Sequence, residues 1–302
     1  MRHGLARVHG TVMYAVAGAA LFFALPASAI TPNANETELA NLIATNAGQQ
    51  RAVMTYHPIL NMVARFHARD MATRSYFGHT DPDGYGSNYR VRLAELELPG
   101  YYGQNKADNN IESIAAGYST PLETFNQWMG SPSHKQHVLG EIAFFQDQTY
   151  YGVGYYYDAG SLYGDYWVFI STPPDTGAAI SDYIEWLFDR LTTAEMDDPE
   201  SDPDNDEIKN LLEYAVDFDP AVADTNGCFA FTFNPTNCAG EMTVPIRLNL
   251  DTQVEVSVQT TTNLDVKDWA TNGVTRAGNT FSAGAPADCK RFFRVHVSRD
   301  HP

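Results

Sequence analysis

The sequence predicts an α+β protein: a helix-rich block that ends in paired strands, then a smaller all-β unit. Three observations predict it. Apolar residues recur at helical spacing through the first half of the chain. Two aromatic-rich runs, YYGVGYYY (150–157) and DYWVFIS (165–171), flank a glycine-containing loop and read as a β-hairpin. Helices therefore precede strands, with neither βαβ alternation nor a glycine-rich phosphate loop, which excludes a doubly wound sheet. From about Phe229 to Ser298 the alternating runs FAFTFN, VEVSVQTT and RFFRVHVS predict a small antiparallel β-sandwich.

The chain opens with Arg2 and Arg7, an uncharged apolar core from Val12 to Leu25, and Ala27-Ser28-Ala29. That is the grammar of an export signal cleaved after Ala29, because the apolar run is short for a membrane span. A helix is expected over about Glu36–Ala47. A second is expected over Pro58–Arg74, with Leu60, Ala64, His67 and Met71 on one stripe. On that stripe His67 reads as a packed core histidine. Thr120-Pro121-Leu122-Glu123 fits a capping box with proline in the first turn, and places Leu122, Phe125 and Met129 inward. Ser131-Pro132 restarts the same grammar, with His134 third in the new helix. TPPDTG (172–177) punctuates the chain near residue 173. The expected divisions are a leader (1–29), the α+β block (30–173), a helix–acidic loop–helix linker (174–226) and the β-rich unit (227–302).

Thirty-seven acidic residues against 19 basic ones leave a net charge of −18, or −20 once a leader with Arg2 and Arg7 is gone. Such a chain is repelled by phosphate backbones and anionic membranes, so nucleic acid is excluded as a partner. The product is expected to be secreted or periplasmic, with no transmembrane segment in the mature chain. Export permits disulfides. Cys228, Cys238 and Cys289 allow three single pairings, of which Cys228–Cys238 is closest in sequence.

GxSxG, HExxH and CxxC motifs are absent, so the sequence shows no catalytic set. Three polar residues stand out instead. His79 follows an aromatic pair in SYFGHTDPDG. Glu112 lies among apolar residues in NNIESIAAG, where a carboxylate needs a partner. His134 falls in the first turn of its helix, where the dipole favours a neutral imidazole. Two histidines and a carboxylate form an open zinc site if they converge.

These segments, in order, resemble the CAP superfamily (SCP domain) in its bacterial form. LNMVARFHARDMATRSYFGHTDPDG (60–84) resembles its helix and histidine-bearing turn. YRVRLAELELPGYY resembles its arginine helix, IESIAAG its Gly-Glu-Asn-Ile-Ala block, and WMGSPSHKQHVL its Trp…Ser-Pro-Gly-His segment. YYGVGYYY and YWVFIS resemble its closing strands. The resemblance implies an α-β-α sandwich with a surface cleft lined by His79, Glu112 and His134. Some members hold zinc there, and others hold sterols, fatty acids or proteins. The chain also departs from the pattern: Ile111 and Ser113 replace the Gly and Asn of the block, and His137 stands where Asn is common.

DPDNDEIKNLLE (202–213) is the second chemical motif. Asp202, Asp204, Asp206, Ile208 (through its carbonyl), Asn210 and Glu213 occupy the ligand positions of an EF-hand-like calcium loop, with Glu207 where glycine is usual. DPDG (81–84) lacks the terminal glutamate and reads as a turn. Three functions remain open: a secreted CAP-domain protein whose cleft binds a metal ion, a small apolar ligand or a protein partner without turnover; a peptidase-like metal-dependent hydrolase; and a calcium-stabilised structural or adhesive protein.

Overall fold

The computed structural model describes residues 31–175, 181–198, 201–224, 229–234, 236–237, 239–265, 268–284 and 291–300. The segment expected as a leader (1–29) and all three cysteines lie outside the described residues.

Helix α1 (Ala34–Ala44) begins at a capping box, in which Asn33 and Glu36 satisfy each other's backbone N–H groups. A short strand, β1 (Thr55–Tyr56), leads into α2 (Pro58–Thr73), started by a proline in its first turn. After the His79 turn come α3 (Ser87–Leu93) and a 3₁₀ turn at Gly100–Tyr102. Strand β2 (Glu112–Ala116) precedes α4 (Pro121–Met129), α5 (Pro132–Val138) and α6 (Ala143–Gln146). The expected hairpin then closes the block as β3 (Tyr150–Tyr157) and β4 (Asp165–Thr172).

These strands form one sheet in the order β1-β3-β4-β2, with β1 parallel to β3 and the other pairs antiparallel. Alternation along β4 builds three layers. Tyr166, Val168 and Ile170 share a core with α2, while Trp167 and Phe169 share a second core with Leu39 of α1 and Phe125 and Trp128 of α4. The α-β-α sandwich is thus a direct product of period-two patterning in a strand buried on both faces. The inward face of α4 is shifted from expectation. Its buried residues are Pro121, Thr124, Phe125 and Trp128, whereas Leu122 is exposed.

Helix α2 lies unusually close to the sheet. A Cβ on Gly152 would overlap the backbone of Leu60 and Asn61, and one on Gly154 the backbone of Ala64 and Arg65. The Asn61 amide donates to the Val153 carbonyl and so pins the helix to the strand.

Helix α7 (Asp182–Arg190) packs Phe188 against Phe66 of α2, and Arg69 donates to the carbonyls of Phe188 and Asp189. Helices α8 (Thr193–Asp197) and α9 (Asn210–Val216) follow. Tyr85, Tyr89 and Lys106 all reach Asp197, so α8 is also docked. The segment expected as a linker is therefore part of the packed structure. Trp186, which the sequence pattern missed, is buried beside Tyr183 and Tyr214.

The tail contains β5 (Ala230–Asn234), β6 (Ala239–Thr243), β7 (Val254–Thr261), β8 (Val274–Ala277), β9 (Thr280–Ala283) and β10 (Phe292–Arg299). They form two antiparallel sheets, β5-β6-β9-β8 and β7-β10. Phe293 of one sheet lies against Phe231 and Gly240 of the other. Arg299 returns to the first block and pairs with Glu95 through two bonds of 2.6 and 3.0 Å.

Gly154→Ala should cost at least about 2 kcal/mol, because the clash is with helix backbone and overpacking typically costs 1–3 kcal/mol. Gly100→Ala, with open space at its Cβ, should be nearly neutral. Urea unfolding of the two variants checks the contrast.

Candidate functional site

Glu112 starts the edge strand β2 opposite Ile170, and its side chain is fully buried. Three elements supply its partners. His67 of α2 approaches Oε1 through Nδ1 at 2.7 Å, and Arg90 of α3 approaches the same oxygen at 3.4 Å. His79, from the turn after α2, meets Oε2 through Nδ1 at 2.9 Å. Burial opposes ionisation of Glu112, but His67, His79 and Arg90 outweigh it and hold its pKa well below the ordinary carboxylate value. Burial and the Arg90 charge push His67 down, so it is neutral and its Nδ1–H faces the carboxylate. Arg90 also donates to the backbone carbonyls of His79 and Tyr85, which fixes the turn that carries His79.

His79 remains part-exposed and lines a cavity of about 370 Å³. Phe77, Ile114, Tyr118, Gln127 and His134 form its other main walls. With Nδ1 committed to Glu112, His79 keeps Nε2 for the cavity. His134 enters from α5, and its Nδ1 is buried without a hydrogen-bond partner. Burial and then the neighbouring His79 lower its pKa, so it too is neutral.

Of the three cleft residues expected from sequence, His79 and Glu112 touch, and His79 and His134 share the cavity wall. Among the described residues, the one trio with ligand atoms mutually within 4.8 Å is Asp202, Asp204 and Asp206. His79, Glu112 and His134 do not reach that spacing. Glu112 sits behind His79, as the carboxylate that orients an imidazole rather than as a third ligand. The residues present thus offer a cation two imidazoles, not an open three-ligand zinc site.

His137 explains two departures from the CAP pattern together. It is buried, with Nδ1 2.7 Å from the Ser113 hydroxyl and Nε2 3.0 Å from that of Ser171. Ser113 and His137 therefore act as a matched pair that ties α5 to the sheet. Sequence reading missed His67 and Arg90 as partners of Glu112. The signal for His67 was its place on the inward stripe of α2. For Arg90 it was an arginine at the helical spacing of buried neighbours in YRVRLAE.

In the acidic loop, the carboxylate of Asp202 accepts the N–H groups of Asp206 and Glu207, and Asp206 accepts that of Ile208. Asn210 and Glu213 lie in α9, both buried. Glu207 has φ +73°, the left-handed turn for which glycine is usual at this place.

Residues 45–171 match the model of the Cysteine-rich secretory protein family, CAP. This segment is a CAP domain. An extracellular SCP-domain protein of Bacillus anthracis is similar at 19% identity and a TM-score of 0.37, over 46% of this chain and 40% of its own. An outer surface protein of Borrelia burgdorferi is similar at 18% identity and a TM-score of 0.34, over 46% of this chain and 90% of its own. This chain thus spans well under half the length of the first. No curated protein matches it. No described helix is long and apolar enough to cross a membrane.

Two predictions follow the buried groups of the CAP domain. Glu112→Gln removes the buried anion that Arg90 faces and weakens the acceptor of neutral His67, and should cost about 3–5 kcal/mol, read by chemical unfolding. Burial, then Arg51, lowers the His137 pKa well below 6.5 in the folded state. The unfolded chain therefore binds more protons below that pH, and stability falls as pH drops. Unfolding at pH 7.5 and 5.5 should show a smaller acid loss for His137→Asn than for the unaltered protein.

Proposed function

We propose that the protein is an exported binding module whose CAP cleft holds a small, largely apolar ligand without turning it over. One observation carries this reading: the cavity pairs apolar walls, Phe77, Ile114 and Tyr118, with the imidazoles of His79 and His134 at one side. Apolar burial supplies affinity for such a ligand, and His79 and His134 orient its polar end. None of the residues lining the cavity is a serine, cysteine or carboxylate. Glu112 is committed to His67, His79 and Arg90, so it is not placed to take a proton from water. Export rests on the leader grammar of residues 1–29. A metal ion in this cleft would rest on His79 and His134, with Glu112 holding His79 from behind.

Titration with a fluorescent polyunsaturated fatty acid tests the reading. Saturable binding to the unaltered protein is expected, at least tenfold weaker in Ala116→Trp, which fills the cavity. His79→Ala/His134→Ala should weaken it several-fold with zinc content unchanged. Equal binding by Ala116→Trp would overturn the assignment of the cleft. Peptide turnover lost in the double histidine variant would replace it with the hydrolase reading.

A further inference from the structure

The acidic loop has no part in the cleft, yet its chemistry is as specific. Asp202, Asp204 and Asp206 bring ligand oxygens within 4.8 Å of one another. Clustered carboxylates alone are common on protein surfaces. The group that distinguishes this cluster is Glu213, on the first turn of α9. Its residue exposure is 0%, and neither carboxylate oxygen has a hydrogen-bond partner. A buried carboxylate left in that state is costly. The carboxylates of Asp204, Asp206, Asp224 and Asp202 are the charged groups that act on it. The Asn210 amide oxygen, 4% exposed at the residue level, is likewise buried without a partner. An apolar pocket leaves no such set of bare oxygens, and a protein cation that reached Glu213 would give it a bond.

We propose that Asp202, Asp204, Asp206, Asn210 and Glu213 bind one Ca²⁺ ion, with Asp224 closing the site from the segment after α9. The donor set is oxygen only, which suits a hard cation and excludes zinc as the preferred one. Ca²⁺ accepts six to eight oxygens in flexible geometry, whereas Mg²⁺ demands a tight octahedron and keeps its waters. Asp224 goes beyond the linear twelve-residue pattern. Its backbone N–H donates to Asp206 at 2.7 Å, which folds the following segment onto the loop.

The ion would also act on the joint between the two halves of the protein. Tyr214, next to Glu213, is fully buried against Tyr183 and Trp186 of α7. Its hydroxyl accepts from the Asp251 backbone, and Arg247 lies over its ring. Asp251 in turn accepts from Ser181 at the start of α7. Neutralising Glu213 therefore steadies the helix that joins the CAP domain to the β tail.

Isothermal titration calorimetry of the chelator-treated mature protein with CaCl₂, beside thermal unfolding with and without Ca²⁺, tests this. One ion per chain, a higher Tm with Ca²⁺, and at least tenfold weaker binding of Mg²⁺ are expected. Glu213→Gln is the discriminating variant. It should lose Ca²⁺ affinity at least a hundredfold while unfolding, without the ion, at the same temperature as the unaltered protein or higher. A side chain with a merely structural role would instead lower Tm equally in both conditions. Asp204→Asn should weaken binding at least tenfold and Asp224→Asn several-fold. An unaltered protein with no heat and no Tm shift at 5 mM CaCl₂ would overturn the proposal, as would Glu213→Gln binding Ca²⁺ normally.

Discussion

One buried carboxylate organises the first half of this molecule. Glu112 gathers a histidine from α2, an arginine from α3 and a histidine from the turn between them. All three elements are thereby held against a strand at the edge of the sheet. A charge in that position is stable only while every partner is present, which makes the arrangement all-or-none. The cleft inherits its shape from this constraint. His79 faces the cavity because Glu112 holds its other nitrogen, and the turn is fixed because Arg90 holds its carbonyl.

The helix–sheet contact beneath is governed by different physics. Gly152 and Gly154 let α2 approach β3 until backbone meets backbone, and Asn61 fastens the two. The polar network of the cleft thus rests on a layer whose spacing is set by the absence of side chains. Ser113 and His137 serve the opposite face of β2 in the same spirit, sharing one hydrogen bond between two positions that each depart from the family pattern.

Much of this was legible in the sequence, for identifiable reasons. Period-two alternation in YYGVGYYY and DYWVFIS specified the hairpin, and the prolines at 58, 121 and 132 marked three helix starts. The order of motifs around His79, Glu112 and His134 marked the CAP domain. His67 and Arg90 were not legible as partners of Glu112, because they come from separate helices and His67, 45 residues away, reads locally as an apolar stripe position. The outward turn of Leu122 was hidden for a related reason. In a short helix, Phe125 and Trp128 suffice to define the buried face. The close packing of 181–198 and 201–224 was equally invisible, since acidic punctuation resembles that of a solvated tether until Trp186 and Tyr214 are seen to meet.

The pairing of Arg299 with Glu95 bears on how the protein assembles. It joins residues 204 positions apart, whereas the β3–β4 hairpin joins neighbours across a short loop. Contacts that close long loops carry their entropy cost before any reward, so they form late. The CAP sandwich can organise from nearby segments, and the strap from the last strand is added only when the tail has its own sheets. This ordering makes the Arg299–Glu95 strap the last contact to close.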